Sequence, residues 1–223
     1  MKKPKNINKK FILGLTGGFG TGKSTVALIL KSFGAKIIDA DKLAAKYLSK
    51  NTLSYKKIVM AFGPGILDKN GKINRKELAN AAFKSKAAIH KLNSIVHPAV
   101  IRDIHKKIKA VKKGVVVLDV PLLFESGLEK AVDKVAVVKL DKARQFARIR
   151  KKSLLSGSEI NKRIKAQLPL SFKVRGADFV IDNNGTIGKT KKQTQAVWRS
   201  LSCQLGAKNL KQIFSSCRIN SRS

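Results

Sequence analysis

Phe11-Ile12-Leu13-Gly14-Leu15-Thr16-Gly17-Gly18-Phe19-Gly20-Thr21-Gly22-Lys23-Ser24-Thr25 is the stretch that decides the fold. Its apolar first third, Phe11 to Leu15, reads as a buried strand, and Thr25 to Phe33 reads as a helix. Between them, Gly17 to Ser24 satisfies G-x-x-x-x-G-K-[ST] at every fixed position, in the strand–loop–helix context the motif requires. Gly17, Gly18, Gly20 and Gly22 let the backbone curl, so that successive N–H groups, Thr21 among them, point at phosphate oxygens. The helix opening near Thr25 adds its positive end. Lys23 has the reach for the outer phosphates, and the Ser24 hydroxyl suits a magnesium ion carried by the nucleotide. A glycine turn that happens to precede a lysine is the bland alternative, and the complete motif in its proper context argues against it. The loop implies a nucleoside triphosphate and leaves its use open.

The chain has 223 residues, room for one domain with inserts, and its 43% hydrophobic content is ordinary for a globular protein. Its charge is not: 48 Lys and Arg against 13 Asp and Glu give +35. Such a balance suggests acidic partners, whether nucleotides, nucleic acid or a membrane surface. The basic residues are spread without a repeated motif and with few interleaved aromatics, which favours a solvated lysine-rich surface over a nucleic-acid interface. The expectation is a monomer or weak homo-oligomer with no membrane association. Cys203 and Cys217 form neither a metal spacing nor a disulfide framework, and the histidines are scattered. The basic segment Met1 to Lys10 precedes an apolar run too short for a signal peptide, and no apolar stretch reaches the roughly 18 residues of a membrane span. A cytoplasmic location is expected.

Strands are predicted at Phe11–Thr16, Lys36–Asp39, Val115–Val120, Val135–Leu140 and Ala177–Asp182. They are rich in Val and Ile and mostly apolar on both faces, as in parallel strands buried between helix layers. The alternation with helices predicts an α/β fold: a doubly wound, parallel five-stranded sheet of the P-loop NTPase type. The nucleotide-binding core is expected over 1–41, 112–141 and 177–201. Residues 42–111 read as a helical insert, with helical patterns at Leu43–Leu48, Tyr55–Phe62, Arg75–Phe83, Lys86–Val96 and Ala99–Val111. Asn70-Gly71 reads as a tight turn, since the glycine falls too early for a calcium loop. Residues 142–176 are helical and basic, broken at Ser156-Gly157-Ser158; they suit either a helix pair closing over phosphates or a solvated hairpin. Lys189–Leu201 reads as one helix carrying Trp198, and 202–223 as a frayed basic tail.

Acidic residues are scarce, so their positions carry weight. Asp39, Asp41, Asp119 and Asp182 each lie at or just after a predicted strand, the edge where open α/β sheets bind ligands. Asp41 fits a group that accepts or orients the proton of an attacking hydroxyl; it equally fits a helix N-cap. Asp119 fits a magnesium-binding position, directly or through water; it equally fits a strand-end residue bonding nearby amides. His97-Pro98 marks a helix junction, where a lone histidine is more often structural.

These segments together resemble the dephospho-CoA kinase family, from about Phe11 to Trp198. The resemblance is carried by Gly14 to Thr25, Ile38-Asp39-Ala40-Asp41, Leu92-Asn93-Ser94-Ile95-Val96-His97-Pro98, Val120-Pro121-Leu122-Leu123-Phe124-Glu125 and Ala177-Asp178-Phe179-Val180-Ile181-Asp182-Asn183-Asn184-Gly185. It implies a nucleoside-monophosphate-kinase-like core, with the 42–111 insert holding dephospho-CoA and 142–176 acting as a lid over ATP. It implies Asp41 as base for the ribose 3′-hydroxyl. It further implies Arg75, His97, Leu122 and Arg163 as substrate contacts, and Arg148 and Lys152 beside Lys23 and Thr25 as ATP contacts. ATP and Mg²⁺ are the implied cofactors. One departure stands out: the family usually shows Arg-Asp four residues after the position of Arg148, and this chain has Lys152-Ser153. Lysine keeps the charge and loses the planar fork.

The implied activity is phosphorylation of the ribose 3′-hydroxyl of dephospho-CoA, giving CoA and ADP. A nucleoside or nucleoside-monophosphate kinase is the rival enzyme, and an RNA-binding P-loop protein the rival of another class. No Asn-Lys-x-Asp guanine signature is present.

Overall fold

The computed structural model describes residues 10–153 and 155–205. In chain order the elements are β1 (Lys10–Gly17), α1 (Lys23–Ser32), β2 (Lys36–Asp39), α2 (Ala40–Lys46), α3 (Leu53–Phe62), α4 (Arg75–Ala82), α5 (Lys86–Ala110), β3 (Gly114–Asp119), β4 (Lys134–Lys139), α6 (Lys142–Lys152), α7 (Gly157–Lys165), α8 (Leu170–Arg175), β5 (Phe179–Asp182) and α9 (Ile187–Gln204). The chain divides into two compact units, one comprising Asp39–Ala110 and the other the remainder. The segment 142–176 stays with the sheet-containing unit.

That unit is built on a parallel five-stranded sheet in the order β2-β3-β1-β4-β5. β1 is central: Leu13 pairs in register with Val117 of β3, and Gly14 with Val135 of β4. Side chains alternate across the sheet. Leu13, Leu15, Val115, Val117, Ala136, Val138 and Ile181 share a core with Val26 and Leu30 of α1 and Trp198 and Leu201 of α9. Val116, Leu118 and Val137 are equally buried on the opposite face. Burial on both faces is why these strands lack the polar alternation of a half-exposed sheet. After β1 the chain runs towards the β2 edge, and after β4 towards β5. The switch point therefore lies between β1 and β4, where such sheets open a crevice at the carboxyl ends of the strands.

The expected strands are all present, though β5 begins at Phe179, two residues later than predicted: the Ala177 amide donates to the Val174 carbonyl and closes off α8, and Asp178 bonds to Val135. α9 is longer than predicted. Thr186 caps it by accepting from the Lys189 amide, and it runs through Ser202 to Gln204, so the expected tail does not begin at 202. Leu201 and Ser202 are buried, which anchors that last turn. Residues 206–223 of the expected tail lie outside the described residues.

In the helical unit, α2 is tied to α5 through Asp103, which lies 3.5 Å from Lys46 and is hydrogen-bonded to Tyr47. That Tyr47 bond, outweighing the effect of burial, holds the Asp103 carboxyl below its ordinary range. The turn at Asn70-Gly71 is present: Gly71 has φ 63°, and Asp68 accepts from the amides of Asn70 and Lys72. The predicted junction at His97-Pro98 is not. α5 is one continuous helix of 25 residues with Pro98 inside it. Pro98 removes the bond to the Ser94 carbonyl, but both residues face solvent, where water replaces the missing donor. Val96, Ala99, Val100, Ile104 and Ile108 keep the other side buried and the helix unbroken. Among the described residues no helix is long and apolar enough to cross a membrane.

Candidate active site

The loop between β1 and α1 is wound tightly. Gly20 and Gly22 have φ of 79° and 91°, values an L side chain rarely adopts. A side chain at either position would also collide with its surroundings, Ile149 beside Gly20 and Asn183 and Arg148 beside Gly22. Thr21 is fully buried and closes the turn, its amide and hydroxyl both donating to the Gly18 carbonyl at 3.2 and 2.9 Å. The Gly22 carbonyl accepts from Thr25 at 3.0 Å, which starts α1. No acidic residue stands in the first turn of that helix, so its positive end is left to an anion. Ser24 is exposed in the same turn.

Lys23 is ion-paired with Asp119, which is 6% exposed at the end of β3. The neighbouring strands β1 and β3 bring the two together from 96 residues apart. Past Asp119, the Pro121 carbonyl accepts from Thr16 at 3.0 Å and from Lys173 of α8 at 2.8 Å. Lys173 is fully buried and pairs with Glu125 at 2.8 Å, while Glu125 also accepts from the Leu168 amide. This arrangement fixes the loop that carries Leu122, itself half-buried with its carbonyl accepting from Ser126.

The basic helices contribute unequally. α6 opens after Asp141 at the end of the β4 connection, beside the switch point. Its Arg148 lies 3.5 Å from the Thr21 carbonyl. Arg163 of α7 sits over the Phe19 ring at 5.7 Å, a cation–π contact that places it against the phosphate loop. Lys152 is exposed, one turn beyond Arg148 on the same side of α6. Ser153 turns its hydroxyl back to the Ile149 carbonyl at 2.9 Å. The predicted break is shorter than expected: α7 starts at Gly157, within Ser156-Gly157-Ser158, with Ser156 and Glu159 forming a reciprocal capping box.

Three loop contacts carry no sequence-assigned role: Gln145 donating to the Phe19 carbonyl, Gln167 accepting from the Phe19 amide, and Asn183 donating to the Thr21 carbonyl. Gln145 was legible to a degree, because it shares a helical stripe with Arg148 and Ile149. Gln167 lies outside any helix and gave no pattern.

In the helical unit, the cap of α2 is Asp39, which accepts from the Lys42 amide at 2.9 Å. Asp41 therefore does not hold the N-cap position; it stands exposed in the first turn. Arg75 is exposed at the first position of α4, behind the Asn74 cap. His97 is half-buried in α5, and desolvation pulls its pKa below the ordinary 6.5.

The family model for dephospho-CoA kinase matches residues 11–189, most of the chain. The chain belongs to the dephospho-CoA kinase family. It is 45% identical over 188 residues to the dephospho-CoA kinase of Geobacillus kaustophilus, covering 83% of this chain and 94% of that one. It is 43% identical over 185 residues to that of Carboxydothermus hydrogenoformans, covering 82% and 90%. Among solved structures, the dephospho-CoA kinase of Campylobacter jejuni aligns with a TM-score of 0.64 and 31% identity, over 88% of this chain and 99% of that one. The Thermus thermophilus protein TT1252 aligns with a TM-score of 0.74 and 31% identity, over 86% and 98%. For a dephospho-CoA kinase, the loop residues Gly17 to Thr25, Lys23, Asp119, Arg148 and Arg163 all fall in the sheet-containing unit, and Asp41, Arg75 and His97 in the helical one.

Proposed function

We propose that this dephospho-CoA kinase divides its reaction, phosphorylation of dephospho-CoA by ATP to give CoA and ADP, between named groups as follows. The amides of the phosphate loop and Lys23 bind the β- and γ-phosphates. Lys23 is drawn to them from its pair with Asp119. Arg148, already beside the loop, neutralises charge that develops on the transferring group. Lys152 reaches the same phosphates from the next turn of α6 when 142–176 acts as a lid. Closure excludes water, which otherwise competes as acceptor.

The residues fit a magnesium ion held mainly by the nucleotide. Ser24 and Asp119 offer hard oxygen donors in one unit, and the described residues hold no cluster of His, Cys, Asp or Glu able to hold a metal unaided. Bound there, the ion supplies charge neutralisation for the β- and γ-phosphate oxygens.

The acceptor is the ribose 3′-hydroxyl of dephospho-CoA. Asp41 takes its proton as the oxygen bonds to the γ-phosphorus and ADP leaves. Residues 42–111 form the substrate unit in this scheme. Arg75, His97 and Leu122 contact the substrate, with Arg163 closing from the lid. The observation that carries the proposal is the preset phosphate loop with Lys23 paired to Asp119, in a chain whose family match spans 11–189. An acceptor panel with ATP and Mg²⁺ tests it. Dephospho-CoA is expected to stimulate ADP release, and adenosine, AMP and RNA are not. Phosphorylation of a mononucleotide in preference to dephospho-CoA contradicts it.

A further inference from the structure

The carbonyl groups of the phosphate loop are held from outside the loop. Gln145 of α6 donates from Nε2 to the Phe19 carbonyl. Asn183, which follows β5, donates from Nδ2 to the Thr21 carbonyl at 2.7 Å. In a trans peptide the C=O and the next residue's N–H point to opposite sides, and the described chain has no cis peptide. Holding the Phe19 carbonyl therefore aims the Gly20 amide the other way. Holding the Thr21 carbonyl does the same for Gly22. Both glycines have positive φ and intrinsically wide freedom, so their orientation needs an external constraint.

The constraining groups are themselves fixed. Gln145 is 5% and Asn183 6% exposed. The Asn183 Oδ1 accepts from the hydroxyl of fully buried Thr190 at 2.8 Å, which leaves Nδ2 to face the loop. Gln167 completes the clamp on Phe19, its Oε1 accepting the Phe19 amide at 3.0 Å. Phe19 is thus bonded through both its N–H and its C=O by two glutamines from the 142–176 segment.

We propose that Gln145, Gln167 and Asn183 are positioning residues that preset the phosphate loop: Gln145 and Asn183 turn the Gly20 and Gly22 amides towards the nucleotide phosphates, and Gln167 fixes the Gly18–Phe19 peptide that leads into them. The proposal rests on the assignment of the loop as the ATP site. It predicts that nucleotide affinity depends on the donor or acceptor character of each side chain and not on its charge. Gln145→Glu and Gln167→Glu place the same charge next to the same residue, Phe19. The first abolishes a donor, and the second preserves an acceptor.

The test is titration of each full-length variant with a fluorescent N-methylanthraniloyl ADP, alongside KM for ATP and for dephospho-CoA. Gln145→Glu and Asn183→Asp are expected to weaken nucleotide binding about tenfold, the loss of a buried hydrogen bond in a preset site. KM for dephospho-CoA is expected to stay within about twofold, as none of the three contacts is assigned to it. Gln167→Glu is expected to stay within about threefold of wild type, and Gln167→Met, which has no acceptor, to lose about tenfold. Should the buried variants fail to fold by circular dichroism, the Gln167 pair decides alone, since that residue is only half-buried. Equal affinities for Gln167→Glu and Gln167→Met, or equal losses in Gln145→Glu and Gln167→Glu, overturn the proposal. Wild-type protein that binds no nucleotide overturns the ATP-site assignment instead, so the two failures are distinguishable.

Discussion

Around the phosphate loop the functional groups are already engaged: Lys23 with Asp119, Arg148 beside the Thr21 carbonyl, Arg163 over Phe19. In the helical unit Asp39–Ala110, the candidates Asp41 and Arg75 stand exposed on first turns of helices, and His97 is half-buried. In the proposed scheme the contrast follows from what each unit would bind. Phosphates are bound largely by backbone N–H groups, which point correctly only if the chain is folded around them beforehand. An acceptor hydroxyl is handled by side chains, which adjust when the substrate arrives. On that scheme the nucleotide side carries its backbone geometry in the folded protein, and the acceptor side relies on exposed side chains.

The sharpest way to break that contrast is Asp41→Asn. Turnover is expected to fall by about two to four orders of magnitude while ATP affinity is retained. Asp39→Asn, which preserves an N-capping side chain, is expected to lose far less, because Asp39 caps α2 and the proposed scheme gives it no part in the reaction. Steady-state kinetics with both substrates checks this, and equal losses in the two variants would show that the helix start alone matters.

Lys23→Ala is expected to weaken ATP binding by about ten- to a hundredfold, the worth of a charge-assisted contact. It is also expected to lower stability, since Asp119 loses a partner at a buried site. Isothermal titration and a melting curve separate the two effects. Lys152→Arg is a smaller change. A guanidinium restores the planar fork, so activity is expected to hold or to rise by about two- to threefold in kcat/KM. A large drop would mean that this turn of α6 does not face phosphate.

The smallest effect concerns His97. Its pKa is lowered by burial, so the folded state disfavours the proton more than the unfolded chain does. Its stability contribution is complete above the unfolded value of 6.5 and is lost as pH falls from there to the lowered folded value. His97→Gln is expected to flatten this dependence between pH 7 and pH 5, as a pH series of melting curves would show.

The sequence made the loop legible because glycine spacing is set by backbone geometry that few residues can satisfy. The strands were legible through runs buried on both faces. Pro98 misled because its cost depends on whether the unpaired Ser94 carbonyl is exposed, which no local pattern records. Asp41 read equally well as a helix cap until the first turn of α2 was placed, where the cap is Asp39. Gln145, Gln167 and Asn183 act across 126 to 162 residues of chain, so their partners were beyond any window of sequence. The roles of Arg75 and Leu122 came from family resemblance alone.

Phosphorus NMR of the product formed from ATP and dephospho-CoA tests the central claim most directly. A new phosphomonoester on the ribose 3′-oxygen, appearing in step with ADP, is the predicted result. ADP released without that ester, or phosphate on any other oxygen, would contradict it.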